Sequence, residues 1–220
     1  MPSGPVGGDA RLGAGIAVLL ALAAAVGLWS AFTGVGPAQF DALALHESIE
    51  ARSGALTAIA VVVTNVGSTA AMAVLAVAVG IWSWYRSRHA DAVLAVGSMI
   101  GASIVFRGLK VLLDRPRPPA GYRLVPETNE SLPSGHATMS IVVVGTLVVL
   151  AWAGWGAAAR VVMVAAAALW VGAVGATRIY LGVHWFSDVL AGWLVGAAWL
   201  TLCVTAWRWW QARTRLRLAP

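Results

Sequence analysis

Charge is scarce in this chain. Only 11% of its 220 residues are Asp, Glu, Lys or Arg, where a soluble domain carries about a quarter. Cysteine is almost missing: Cys203 is the single one, which excludes an internal disulfide and a cysteine-rich zinc site. Acids are scarcest, with nine Asp and Glu against fifteen Lys and Arg, for a net charge of +6. These shortages exclude a soluble globule, a disordered tail and a secreted disulfide scaffold. What the chain has instead is apolar surface: 60% of residues are hydrophobic and the mean hydropathy is +0.80. It reads as a polytopic membrane protein. The basic balance then belongs to loops rather than to nucleic-acid binding, because membrane proteins keep Lys and Arg on the cytoplasmic side.

A helix needs about 20 apolar residues to cross the hydrocarbon. The first such run is 12–33 and reads as an uncleaved anchor, longer than the apolar part of a signal peptide. Residues 34–54, with Asp41, His46, Glu47, Glu50 and Arg52, are too polar to cross. The stretch 53–85 carries no charge and has Asn65-Val66-Gly67-Ser68 in its middle. An interfacial or re-entrant helix up to Asn65 is expected there, then a second span to Trp84. Further spans are expected at 92–113, 136–152, 161–177 and 188–207, with a proline-rich polar loop at 114–133. The sum is an all-α, polytopic membrane bundle of six transmembrane helices. It forms one domain over 1–220, with short tails at 1–11 and 208–220.

Two sets of cations divide between the sides. Arg11, Arg86, Arg88, Arg160, Arg208, Arg213, Arg215 and Arg217 lie near span ends and are almost free of acids. The positive-inside rule puts this set, and both termini, in the cytoplasm. Arg52, Arg115, Arg117, Arg123 and Arg178, with Lys110 at a span end, fall on the other side. That outer excess calls for a ligand.

Span parity brings three outer segments to one face. They are Lys110 with Arg117-Pro118, then Pro133-Ser134-Gly135-His136, then Thr177-Arg178 with His184 and Asp188. Lys110, Arg117 and Arg178 are cations, and arginine forks match phosphate oxygens. Pro133 suits the first turn of a helix. Ser134, Gly135 and His136 would then offer backbone N–H groups at a helix N-terminus, an anion site that glycine lets a ligand approach. His184 and Asp188 are four residues apart and share a face on a helical turn. A carboxylate that holds one imidazole nitrogen leaves the other free as a nucleophile. His136 can protonate a leaving oxygen.

These blocks resemble the signature of the phosphatidic acid phosphatase type 2 and vanadium haloperoxidase superfamily: Lys-x6-Arg-Pro, Pro-Ser-Gly-His and Ser-Arg-x5-His-x3-Asp. Thr177 stands where that family usually has serine and keeps the hydroxyl. The resemblance extends over the six-span layout. It implies an integral lipid phosphatase with a phosphohistidine intermediate, no metal and no cofactor. His184 would be the nucleophile, Asp188 its partner and His136 the acid. Lys110, Arg117, Ser134, Gly135 and Arg178 would bind phosphate, with Thr177 in support. Expected substrates are lipid phosphates or pyrophosphates: phosphatidic acid, phosphatidylglycerol phosphate or a polyprenyl pyrophosphate. The Ala, Gly and Arg richness fits a bacterium of high genomic GC, so a bacterial plasma membrane is expected, with a slight lean towards the polyprenyl carrier.

Blander readings accompany these. His46 and His89 belong to no constellation and read as structural or solvated. Asp188 suits a helix start and could cap the last span. Arg115 and Arg123 read as solvated or facing headgroups. Gly172 and Gly175 suit close helix packing. Trp207, Trp209 and Trp210 suit an aromatic belt. Arg107, a turn before Lys110, either snorkels to headgroups or turns inward to favour a second phosphate charge. Competing functions are phosphotransfer to another hydroxyl, an intramembrane serine protease using Ser134 and His184, and a lipid transporter. The protease leaves Lys110, Arg117 and Arg178 unexplained. The transporter leaves the spacing of His184 and Asp188 unexplained.

Overall fold

The computed structural model describes residues 5–218, with side chains from 10 to 214, so Arg215 and Arg217 lie outside the described side chains. Eight α-helices follow in order: α1 (Pro5–Thr33), α2 (Asp41–Glu50), α3 (Gly54–Val66), α4 (Thr69–Tyr85), α5 (His89–Leu113), α6 (Gly135–Ala151), α7 (Ala157–Tyr180) and α8 (Phe186–Leu218). Among the described residues there is no strand. Five helices are long and apolar enough to cross a membrane. The pair α3 and α4 adds a sixth when taken as one broken span, bent by 43°. The break falls where the sequence put it, at Gly67 and Ser68. Ser68 accepts from the N–H of Ala71 at 3.1 Å and so starts α4 afresh.

The runs expected from hydropathy are all helical, and two extend further. α1 begins at Pro5 and α8 continues to Leu218. Residues 5–11 and 208–218 are therefore helical extensions of the spans. α5 stops at Asp114, whose φ of 42° lies in the left-handed region. Pro116, Pro118 and Pro119 keep the following chain from returning to helix.

Packing rests on small residues and on apolar clusters, of which one joins α4, α5 and α6. Met72 and Ala76 of α4, Met99, Ala102 and Phe106 of α5, and Met139, Val142 and Val143 of α6 form that cluster. α8 lies against α1 and α6. A side chain at Gly192 would strike the Ser134 carbonyl at 2.8 Å, so its absence lets α8 approach the start of α6. Gly175 likewise leaves room for Trp193, as expected, but Gly172 has open space beside it. Large apolar side chains on the outside, such as Leu19, Phe32, Ile104 and Leu169, are exposed as lipid-facing residues should be. At the end formed by the start of α5 and the last turns of α8, buried Asp91 accepts from Trp207 Nε1 at 3.1 Å and Gln211 Nε2 at 3.3 Å. Trp207 is thus a tether as well as a belt residue. The C-terminal ends of α5 and α7 and the N-terminal ends of α6 and α8 meet at the opposite end, together with α2.

Candidate active site

His184 lies on the turn 181–185 between α7 and α8, 2% exposed. Gly182 makes the reversal possible with a φ of +71° and packs against the Tyr122 carbonyl. The N–H groups of Val183 and His184 both donate to the Arg178 carbonyl, at 3.1 and 3.2 Å, which fixes the turn to the end of α7. The imidazole Nδ1 is 3.3 Å from Asp188 Oδ2, and Nε2 is 3.2 Å from Arg117 Nη1. A guanidinium can only donate. Nε2 therefore carries the lone pair, and Nδ1 carries the proton given to Asp188. Burial pushes His184 well below its ordinary pKa of 6.5; the hydrogen bond and charge of Asp188 oppose that, while Arg117 and Arg178 reinforce it. The imidazole is neutral at neutral pH.

Asp188 is fully buried in the first turn of α8. Its Oδ2 also accepts from Ser131 Oγ and from the backbone N–H of Trp185 at 2.9 Å. It caps its helix and holds the imidazole at once. Across the site, Ser134 is the N-cap of α6, its Oγ accepting from Ala137 N at 3.5 Å. Pro133 consequently sits just before the cap, not in the first turn. The Ser134 N–H is spent on the Asp188 carbonyl at 3.0 Å. The N–H groups of Gly135 and His136 have no backbone acceptor among the described residues and remain available to an anion. His136 is half-buried and its ring has no hydrogen-bond partner among the described residues.

Three cations surround this point. Arg117 donates to the Asn129 carbonyl at 2.6 Å and to the Val183 carbonyl besides His184. Burial lowers its pKa and Glu127 opposes that, but a guanidinium stays charged at any physiological pH. Arg178, 2% exposed, gives Nη1 to Thr64 Oγ1 at 2.7 Å and Nη2 to Glu127 Oε1. Its Nε is buried with no hydrogen-bond partner among the described residues, a donor left open. Glu127 also lies 3.5 Å from Arg117 Nη2. Lys110 is buried, and its Nζ holds the carbonyls of Glu130 and Ser131, the latter at 3.3 Å.

Every residue of the three motifs is thus brought to one end of the bundle, while two supporting residues are not placed as expected. Arg107 is exposed and its guanidinium lies 5.8 Å from the Phe106 ring, so it does not turn inward beside Lys110. Thr177 turns its hydroxyl back to the Val174 carbonyl at 2.6 Å and stabilises its own helix. Arg115 corrects the reading in the other direction. It is not solvated: it pairs with Asp188 Oδ1 and with Asp41 Oδ2 at 2.8 Å. Arg123 braces the loop, its Nε donating to the Pro118 carbonyl at 2.8 Å. His46 is exposed and pairs with Glu50 at 3.1 Å, and His89 packs on the Trp84 ring. The sequence reading missed Asp41, Glu127, Asn129, Ser131 and Thr64, which belong to no motif.

The apolar helices and this polar end define a multi-pass helical membrane protein with a cluster of cations built around a histidine. The chain belongs to the PAP2 superfamily, whose family model matches residues 91–213, more than half of its length. Its fold is similar to that of the first transmembrane PAP2-type phosphatidylglycerolphosphate phosphatase from Bacillus subtilis, with a TM-score of 0.78 at 23% identity over 86% of this chain and 94% of that one. It is also similar to LpxE of Aquifex aeolicus, with a TM-score of 0.59 at 20% identity over 75% of this chain and 94% of that one. No curated protein matches the sequence.

Proposed function

We propose that the chain is an integral-membrane lipid phosphatase that removes a terminal phosphate from a lipid phosphate or pyrophosphate through a phosphohistidine on His184. The observation that carries this reading is the state of His184. Asp188 holds the protonated Nδ1, and the lone pair of Nε2 points at Arg117 inside a cluster of cations. Such a lone pair among cations supports reading His184 as a nucleophile for an anionic substrate. The unpaired Nε of Arg178 and the free N–H groups of Gly135 and His136 are donors awaiting phosphate oxygens.

In the proposed reaction, the phosphate enters between Arg117, Arg178 and the start of α6, displacing Glu127 from the two guanidiniums. Nε2 of His184 attacks phosphorus as the bond to the leaving oxygen breaks. His136 gives that oxygen its proton, and Asp188 balances the imidazolium charge. Water then attacks the phosphohistidine, passes a proton to His136 and releases inorganic phosphate. Lys110 supports the site by holding loop carbonyls and by its charge.

The site is proposed to face away from the cytoplasm of a bacterial plasma membrane. The far end of the bundle carries Arg86, Arg88, Arg160, Arg208 and Arg213, as positive-inside topology requires. Among lipids, phosphatidic acid, phosphatidylglycerol phosphate and polyprenyl pyrophosphate offer the same terminal phosphate. Phosphate release by the purified protein across this panel, with rapid alkaline quench of labelled substrate, tests the reading. Wild type should form an acid-labile phosphoenzyme and His184→Asn should form none. Activity should survive a chelator and be inhibited by vanadate, a mimic of the five-coordinate transition state. A serine acyl adduct at Ser134, or loss of activity in chelator restored by magnesium, would sink it.

A further inference from the structure

Two charged residues that are not signature positions, Arg115 between Lys110 and Arg117 and the distant Asp41, meet behind Asp188. Arg115, on the turn after α5, donates from Nη1 to Asp188 Oδ1 and to Ser187 Oγ at 2.9 Å, and from Nη2 to Asp41 Oδ2 at 2.8 Å. Asp41, the first residue of α2, accepts the Ser187 N–H on Oδ1 at 2.8 Å and the Ser187 hydroxyl on Oδ2 at 2.7 Å. Side chains here are closed from solvent: Arg115 is 13% exposed, Asp41 9% and Asp188 not at all. Burial of an ion triplet is costly unless each charge is paired and hydrogen-bonded. Here each is. Helix α2 comes from a segment that reads as a polar connection, yet it delivers one buried carboxylate to the back of the nucleophile's partner.

We propose that Arg115 and Asp41 are positioning residues for the nucleophile: Arg115 fixes the plane of the Asp188 carboxylate so that Oδ2 meets His184 Nδ1, and Asp41 fixes Arg115. This rests on the reading of His184 as the nucleophile of a lipid phosphatase. With Oδ1 locked by Arg115, the carboxylate cannot rotate away from the imidazole. Asp41, Arg115 and Asp188 together carry a net single negative charge. His184 therefore meets one compensating charge when phosphorylation makes it cationic. Removing Arg115 leaves two carboxylates behind the imidazole; neutralising Asp41 leaves none uncompensated. The two changes act on His184 in opposite directions. The charged groups around His184 itself remain in both cases: Asp188 of α8, Arg117 of the loop 114–134 and Arg178 of α7. Lys110 of α5, Glu127 of the same loop and His136 of α6 stand beyond them.

The test uses the full chain in detergent or nanodiscs with Arg115→Gln, Arg115→Lys, Asp41→Asn and the double variant Arg115→Gln/Asp41→Asn. Neither residue touches substrate, so kcat should fall about 10–100-fold while KM stays within about threefold. The acid limb of kcat/KM should move to higher pH in Arg115→Gln and to lower pH in Asp41→Asn. The double variant should be no slower than Arg115→Gln, since Asp41 acts through Arg115. Arg115→Lys should recover the position of the limb but only part of kcat, because an ammonium cannot span both carboxylates. Nitrogen-15 NMR of labelled histidine reads the His184 titration directly, whatever the reaction, and should show the same opposite shifts. Unmoved titrations, or shifts of one sign in both variants, would overturn the assignment. A wild type that forms no phosphoenzyme while the NMR shifts appear would overturn the phosphatase reading and keep the positioning one.

Discussion

At the scale of single residues, the site is a competition between burial and charge. His184 is held neutral by burial despite its carboxylate partner. The proposed nucleophile must be neutral, so kcat/KM should fall on the acid side only as pH drops through a pKa lying well below the ordinary imidazole value of about 6.5. A pH–rate profile with its acid limb at or above that value would contradict the burial seen here. His136 is the proposed source of the leaving proton, and general acids typically contribute about 10²–10⁴-fold. His136→Ala should lose that factor with a lipid alkoxide leaving group and much less with a nitrophenolate, as rapid-quench rates will show. Glu127 is the opposite kind of residue. Its carboxylate pairs with Arg178 and Arg117 and stands where phosphate is proposed to bind. Glu127→Gln should leave those guanidiniums without a rival anion. Inhibition by inorganic phosphate should then tighten by roughly tenfold, equivalent to about 1.4 kcal/mol. An unchanged inhibition constant would show that Glu127 and phosphate occupy different places.

At the scale of elements, the close approach of α8 to α6 sets the cluster. A methyl at Gly192 would lie 2.8 Å from the Ser134 carbonyl, 3.0 Å from Ala137 Cβ and 3.3 Å from Thr138 Oγ1. Backbone cannot step aside as a flexible side chain can, and overpacking costs typically about 1–3 kcal/mol. Gly192→Ala should therefore lower both the melting temperature in detergent and the activity. Gly97→Ala, with open space around it, should do neither. Such contacts divide what was legible in the sequence from what was not. Apolar runs announced each span, Gly67 and Ser68 announced the break, and fixed spacing announced His136, His184, Asp188 and the cations. Arg115 and Asp41 gave no such signal: their partners lie 73 and 74 residues away, and pairing at that distance has no local period. Arg107 misled for an angular reason. Three residues along a helix fall about 60° short of a full turn, and that offset separates a buried Lys110 from an exposed Arg107.

At the scale of the whole molecule, the two ends of the bundle differ in what their charges do. At the end that holds His184, Arg178 is buried, Arg115 and Arg117 are partly buried, and all three are paired with Asp41, Asp188 or Glu127. At the other, Arg86 is exposed near the Trp82 ring and Arg213 lies 3.9 Å from the Trp209 ring, the posture of cations at a headgroup surface. Only the second kind counts towards topology, since a cation neutralised inside the protein feels neither the lipid headgroups nor the insertion machinery as a free charge would. Discounting the paired cations strengthens the asymmetry that was modest when all Lys and Arg were counted alike. The end with Arg86 should therefore be cytoplasmic and the phosphate site should face away from it. Gly121 and Ser87 are both exposed and mark the two ends. After Cys203→Ser removes the half-buried native thiol, Gly121→Cys should react with an impermeant maleimide in intact spheroplasts. Ser87→Cys should react only after lysis. Labelling in the reverse order would turn the molecule over in the membrane and put its phosphate substrate on the cytoplasmic leaflet.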